Sequence, residues 1–183
     1  ELDLSHVMHR EFYQESNIRI AVGAAELMDP LVVNFGTGEL NLTTNQHSFD
    51  LNADGNKENI AFATGNSAFL SLDLNGNGSI DDGRELFGAL SGNGFADLAA
   101  YDEDKNGFID SGDSVYEKLT LVQKDAAGNT QMTSLKDKGI GALYLGHQDT
   151  PFDVKNQNNE LQAVVRSSGF HISEDGKVGT LQQ

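Results

Sequence analysis

The chain has 183 residues, 38% of them hydrophobic and 8% aromatic, enough for one domain with its own core or for two small ones. Twenty-eight Asp and Glu against twelve Lys and Arg leave a net charge of −16, which argues against nucleic acid and anionic membrane surfaces as partners. No apolar run approaches the roughly 20 residues of a membrane helix, so no membrane insertion is expected, and the lack of cysteine excludes disulfides and thiolate zinc sites. The sequence begins at Glu1 with no charged-then-apolar leader, so it reads as an excised piece of something longer with no visible targeting signal.

In chain order, alternating apolar residues predict strands at 2–8, 17–24, 30–35 and 38–43. Within this part lies Asp29-Pro30, one of the chain's two prolines. An Asp-Pro bond is chemically weak, because the carboxylate can attack its own carbonyl through a five-membered ring while the proline nitrogen departs once protonated. Residues 48–113 are dense in Asp, Asn and Gly, with a strand at 67–72 and brief helices at 83–90, 94–102 and 112–119. A strand at 119–124, a short helix at 132–139 and strands at 141–146 and 161–173 follow. The expected fold class is therefore α+β, with short strands at both ends around a central pair of EF-hand-like loops with short helices. No linker divides the chain, so 1–183 is expected to be a single domain, with 1–47 β-rich, 48–119 holding the loops and helices, and 120–183 β-rich.

The central segment repeats itself. Residues 49–58, 72–85 and 101–113 each start apolar-Asp-x-(Asn/Asp)-x-(Asn/Asp)-Gly. A calcium ion takes six to eight oxygen ligands, and a short loop can offer them from positions 1, 3 and 5, a carbonyl at 7 and a carboxylate near 12, with Gly at 6 for the turn. The third loop fits best, with Asp102, Asp104 and Asn106, the Phe108 carbonyl, Ile109 as apolar anchor and Asp113 at position 12. Helical spacing before it makes a helix–loop–helix of EF-hand type. The second loop offers Asp73, Asn75, Asn77 and the Ser79 carbonyl, with Ile80 as anchor. Its position 12 is Arg84, which cannot ligate, so Glu85 at 13 must close it, with Gly83 absorbing the offset and Asp81 or Asp82 assisting. The first loop has Asp50, Asn52 and Asp54 in place, but position 12 is Ala61 and Glu58 is the nearby closing carboxylate. The same residue types also build ordinary turns. Three phased copies in so acidic a chain favour calcium, at two loops and at the first as a third, over magnesium, which prefers rigid water-rich sites.

The runs LDLNGNGSIDDGRELFG, GFADLAAYDEDKNGFIDSGD and LKDKGIGALYLG resemble the calcium-binding core of secreted bacterial repeat-in-toxin proteins, in particular the self-processing module of the iron-regulated group, from residue 29 to about 146. The overall layout is also similar to that of a related group of uncharacterised bacterial proteins. The resemblance implies a secreted or cell-surface module, part of a larger protein, that calcium folds and that then cuts itself at Asp29-Pro30. Asp29 would be the internal nucleophile and Pro30 the leaving amine, and the new aspartate end could be joined to a lysine amine. One departure stands out: family members carry an acidic run just after the Asp-Pro segment, where this chain has Asn34, Gly36 and Gly38 and keeps only Glu39.

Other constellations are weaker. His6 and His9 would point to opposite faces of a strand, and His47, His147 and His171 are isolated. No Gly-x-Ser-x-Gly elbow and no phosphate loop is present, and no carboxylate pair stands out. The leading expectation is a calcium-binding module of an exported bacterial protein that uses the ion for its fold. Calcium-triggered cleavage at Asp29-Pro30 is the alternative, and a calcium-dependent docking module is the second alternative.

Overall fold

The apolar runs pair into an antiparallel sheet that is buried on both faces at its centre. The computed structural model describes residues 28–36, 40–156 and 158–183. The predicted strands at 2–8 and 17–24, His6, His9, Gly38 and Glu39 lie outside these. Among the described residues the strands are β1 (Val32–Asn34), β2 (Leu42–Phe49), β3 (Glu58–Ala63), β4 (Ser67–Leu72), β5 (Phe108–Ile109), β6 (Leu119–Lys124), β7 (Thr130–Ser134), β8 (Ile140–Tyr144), β9 (Gln148–Lys155), β10 (Leu161–Ser173) and β11 (Val178–Gln182). One α-helix, α1 (Gly94–Ala99), and two single 3-10 turns, Gly83–Glu85 and Tyr116–Lys118, join them. Nine strands form one sheet in the order β5-β8-β10-β11-β1-β4-β6-β7, with β9 on the first half of β10, while β2 and β3 form a separate hairpin.

This mostly β architecture overturns the expected α+β fold. The predicted helix at 132–139 is strand then turn: Met132 pairs opposite Val122 in β7, and Leu135 turns into the opposite side of the core. An i, i+3 apolar spacing is met equally well by a strand whose last residue bends over the edge. The predicted helix at 83–90 makes one 3-10 turn and stops at Leu86, whose backbone is extended. Its next residue, Phe87, gives its N–H and C=O to strand segments instead of to a helix. Residues 112–119 make a single turn before entering β6, so the helix–loop–helix expected around the third loop does not form. A short α-helix does form in the predicted 94–102 stretch, started by Asn93, whose Oδ1 accepts the Ala96 N–H at 2.9 Å. The central segment is not a helical insert either, because β4 sits between β1 and β6.

Alternation sorts the core into two layers. Val32, Phe69 and Val122 stand in register across β1, β4 and β6, and pack with Phe49, Phe62 and Leu86 on one side. Val33, Leu70, Leu121 and Leu181 turn the other way, toward Phe87, Phe95, Leu98 and Ile109. All six residues of β4 are buried, Ser67 and Ser71 among them, as in a strand covered on both faces. The β2–β3 hairpin is clamped by edge-on aromatic contacts, Phe49 to Phe62 at 5.7 Å and Phe62 to Phe69 at 4.8 Å, each worth about 0.5–1.5 kcal/mol beyond the area buried.

His171 of β10 is 1% exposed, and its Nε2 sits 2.9 Å from the Asn34 carbonyl, which fixes Nε2 as the N–H that donates. Nδ1 has no hydrogen-bond partner among the described residues. Burial therefore pulls the His171 pKa below its usual 6.5, against the opposing Asn34 bond. Below pH 6.5 the unfolded chain takes up a proton that the folded chain refuses, so stability falls as pH drops through that value. Unfolding free energies from urea titrations between pH 7 and 5 are expected to decline by up to about 1.4 kcal/mol per pH unit from this group. The decline should be shallower in His171→Gln, and equal slopes in the two proteins would refute the assignment.

Candidate functional site

Two of the three Asp/Asn loops follow strands, and the third follows the helix. Loop 1, residues 50–58, joins β2 to β3; loop 2, residues 73–85, follows β4; loop 3, residues 102–113, lies between α1 and β6 and contains β5. In each, the first aspartate accepts from the N–H of the position-6 glycine: Asp50 from Gly55 at 2.9 Å, Asp73 from Gly78 at 2.7 Å and Asp102 from Gly107 at 3.0 Å. The position-3 side chain turns inward by accepting the position-5 N–H, Asn52 from Asp54, Asn75 from Asn77 and Asp104 from Asn106. At Asp73 these backbone bonds, that of Gly78 foremost, hold the carboxyl below the ordinary range.

Closure is where the loops differ in sequence and agree in structure. Glu58, Glu85 and Asp113 stand at positions 9, 13 and 12. Each accepts the N–H of its loop's second residue, Glu58 from Leu51 at 2.8 Å, Glu85 from Leu74 at 3.1 Å and Asp113 from Glu103 at 2.7 Å. Glu85 and Asp113 also accept the position-9 N–H, from Asp81 at 2.8 Å and Asp110 at 3.0 Å. The 3-10 turn Gly83–Glu85 delivers Glu85 one residue late, and Asp82 caps that turn by accepting the Arg84 N–H. Asp50, Asp54 and Glu58 thereby gather with carboxylate oxygens within 4.8 Å of one another, and so do Asp102, Asp104 and Asp113. In loop 2 the amides of Asn75 and Asn77 reach Asp81 at 3.2 and 2.6 Å, and Asn75 reaches Glu85 at 3.1 Å. Arg84 turns outward and forks onto Asp82, at 3.0 and 2.6 Å.

The anchors behave as their apolarity requires. Ile109 is fully buried, and β5 straps loop 3 to β8 through the Phe108–Tyr144 and Ile109–Leu143 pairs. Ile80 packs on the core layer of Phe49, Phe62 and Leu86, and Ser79 donates its N–H to Asn77. The donor set of all three loops is oxygen only, which suits a hard cation such as calcium.

Asp29 is 9% exposed, and its Oδ2 lies 2.8 Å from Arg166 of β10. Burial raises the Asp29 pKa, and the Arg166 charge opposes that shift. The Asp29 carbonyl oxygen rests against Gly88, where a Cβ would come within 2.3 Å. Pro30 leads into β1, and Asn34, at the place of the missing acidic run, is buried in that strand between Thr180 and Ser67. Sequence reasoning did not find Arg166, which is brought to Asp29 from the far end of the chain, nor the contact between loops 1 and 2 at Asp50 and Gly83. A lone arginine in a strand carries no signal of its partner. Among the described residues, His147 stacks on Phe95 at 4.4 Å and His47 meets the edge of Phe62.

The family model for the SPM domain matches residues 32–183. The chain is similar to the iron-regulated protein FrpA of Neisseria meningitidis serogroup C, 28% identical over an alignment of 148 residues that covers 73% of this chain. The match covers 13% of that relative's length.

Asp113 is 3% exposed and satisfies two N–H groups, so Asp113→Ala should orphan both and cost about 1–3 kcal/mol. Urea unfolding without added metal reads this loss. Asp104→Asn, which removes one of three crowded carboxylates, should shift the midpoint the other way. An Asp113→Ala protein as stable as its parent would show that the closure is ornamental.

Proposed function

We propose, from the premise that this chain belongs to the SPM domain family, that its three loops bind calcium and that the ion stabilises the fold of a module within a larger exported bacterial protein. The observation that carries this reading is the shared closure: carboxylates at three different loop positions accept the same second-residue N–H. Loops of unequal length are thus closed in the same way, and loops 1 and 3 each gather three carboxylates. The net charge supports it as well, since clustered carboxylates repel one another until a cation neutralises them. In a calcium-poor cytosol such loops weaken the fold, and outside the cell millimolar calcium adds its binding free energy to folding. Each site filled at 100 times its Kd contributes about 2.7 kcal/mol, and each kcal/mol moves the Tm of a chain of this size by roughly 2–4 °C. The Tm in millimolar calcium should therefore exceed that in EDTA by at least about 5 °C. Identical melts would end the proposal.

A second reading, calcium-triggered cleavage at Asp29-Pro30, is favoured by one arrangement. Leu31 N–H bonds the Phe87 carbonyl at 2.7 Å, Phe87 N–H the Leu70 carbonyl at 3.2 Å, and Leu70 N–H the Leu31 carbonyl at 2.9 Å. The residue after the Asp-Pro pair is thereby tied to a residue two beyond Glu85, the closing carboxylate of loop 2. In the reaction, an Asp29 carboxyl oxygen adds to the Asp29 carbonyl carbon and the bond to the Pro30 nitrogen breaks. The carboxyl proton, retained longer because burial raises that pKa, passes to the proline nitrogen, and water then opens the cyclic anhydride. Intact-mass analysis after incubation with calcium should find a fragment beginning at Pro30 that is absent in Asp29→Ala and reduced at least tenfold in Glu85→Ala. A chain still whole after days rejects cleavage, and full cleavage in Glu85→Ala rejects the route through loop 2.

A further inference from the structure

Loops 1 and 2 meet in the backbone at Asp50 and Asp82, far apart in sequence. Asp50 and Asp82 form an isolated parallel bridge, and Gly83 donates its N–H to the Asp50 carbonyl at 2.9 Å. The approach is as tight as a glycine allows, because a Cβ on residue 83 would lie 1.8 Å from the Leu51 carbonyl oxygen. Both partners of this contact belong to loop closure. Asp50 is the first residue of loop 1, and Leu51 gives its N–H to Glu58, which closes that loop. Gly83 opens the 3-10 turn that ends at Glu85, which closes loop 2. Arg84 stiffens the turn by forking onto Asp82, and its guanidinium also feels the charges of Asp50 and Glu85. Loop 3 is attached elsewhere, through β5 to β8 and the Gly107 carbonyl to Leu145.

We propose that loops 1 and 2 bind calcium as one coupled pair, with the Asp50–Gly83 contact as the coupling element, while loop 3 fills independently. The inference rests on the calcium reading above. An ion that draws the Asp50 carboxylate inward fixes the backbone of residues 50 and 51. That backbone packs without slack against residue 83, so it also fixes the turn carrying Glu85. A packed contact of this kind has few intermediate arrangements, so closure of one loop favours closure of the other. Coupling between binding sites is reciprocal, with the same factor in both directions.

The three position-6 glycines give one amide NMR signal per loop, since each N–H bonds its loop's first aspartate. Calcium chloride titrations of the full chain are compared with Asp54→Ala, an exposed change confined to loop 1, and Asn77→Ala, an exposed change confined to loop 2. In Asp54→Ala the Gly78 midpoint should rise about fivefold or more, within the usual range of coupling between sites, while the Gly107 midpoint stays put. In Asn77→Ala the Gly55 midpoint should rise by the same factor. An unmoved Gly78 in Asp54→Ala overturns the coupling, as does a Gly107 that moves as far as Gly78, which would reveal only a shared folding step. A wild-type chain in which no glycine responds to calcium fails the calcium reading itself and takes the coupling with it, a result distinct from the other two.

Discussion

Leu31, Leu70 and Phe87 close a ring of three backbone hydrogen bonds in the core, each donating to the next, and all three residues are 6% exposed or less. A buried N–H or C=O that loses its partner costs about 1–3 kcal/mol, so no member can withdraw without stranding two others. Leu70 is the fixed member, since β4 is held in register by β1 on one side and β6 on the other. The segment entering β1 and the chain leaving loop 2 are both hung on it. A strand buried on both faces offers no side chain to solvent, so the polar chemistry is displaced to its ends, and loop 2 begins at the first residue after β4.

The loops are built against their own charge. Two carboxylates about 4–5 Å apart repel by about 1 kcal/mol in water-like surroundings and by several times that where the dielectric falls. Opposing this are backbone N–H groups aimed at the same oxygens, in charge-assisted hydrogen bonds. The loops thus keep their shape by spending backbone donors on side chains, which is why residues 50–58 and 73–85 hold so little regular structure. Asp54 and Asp104 remain exposed while Glu85 and Asp113 are buried. The closing carboxylate is held by the fold, and the solvent side stays open to an arriving cation.

Much of this was legible in the sequence where one physical rule dominated. The strands at 67–72 and 161–173 have the predicted bounds, because unbroken or alternating apolar residues admit few other readings. The Asp/Asn spacing located all three loops, and the offset at Arg84 pointed to the extra residue that the 3-10 turn absorbs. Helices were over-read because short apolar spacings do not separate a helical turn from a strand end that bends, as at Met132 and Leu135. Strand β9 hid behind Pro151, which an edge strand tolerates, and β11 is too short and glycine-bearing to announce that it completes the middle of the sheet. The Asp29–Arg166 pair and the Asp50–Gly83 contact are products of topology, and no local pattern encodes them.

Asn34, after Asp29-Pro30, serves the sheet. Asn34 stands in β1 with neighbours on both sides, its carbonyl facing His171, and the Gly36 N–H accepted by its own side chain. A residue so placed is committed to the sheet, and a cation loop at that position would have to break the strand that joins β11 to β4. Under the proposed cleavage, an effect of calcium on the Asp-Pro bond would have to travel from elsewhere. One backbone path runs from Phe87, two residues beyond Glu85, to Leu31, and Gly83 extends it to loop 1. The bond thus lies at the end of a chain of backbone contacts that begins at two loops, with β4 as the rigid post between them.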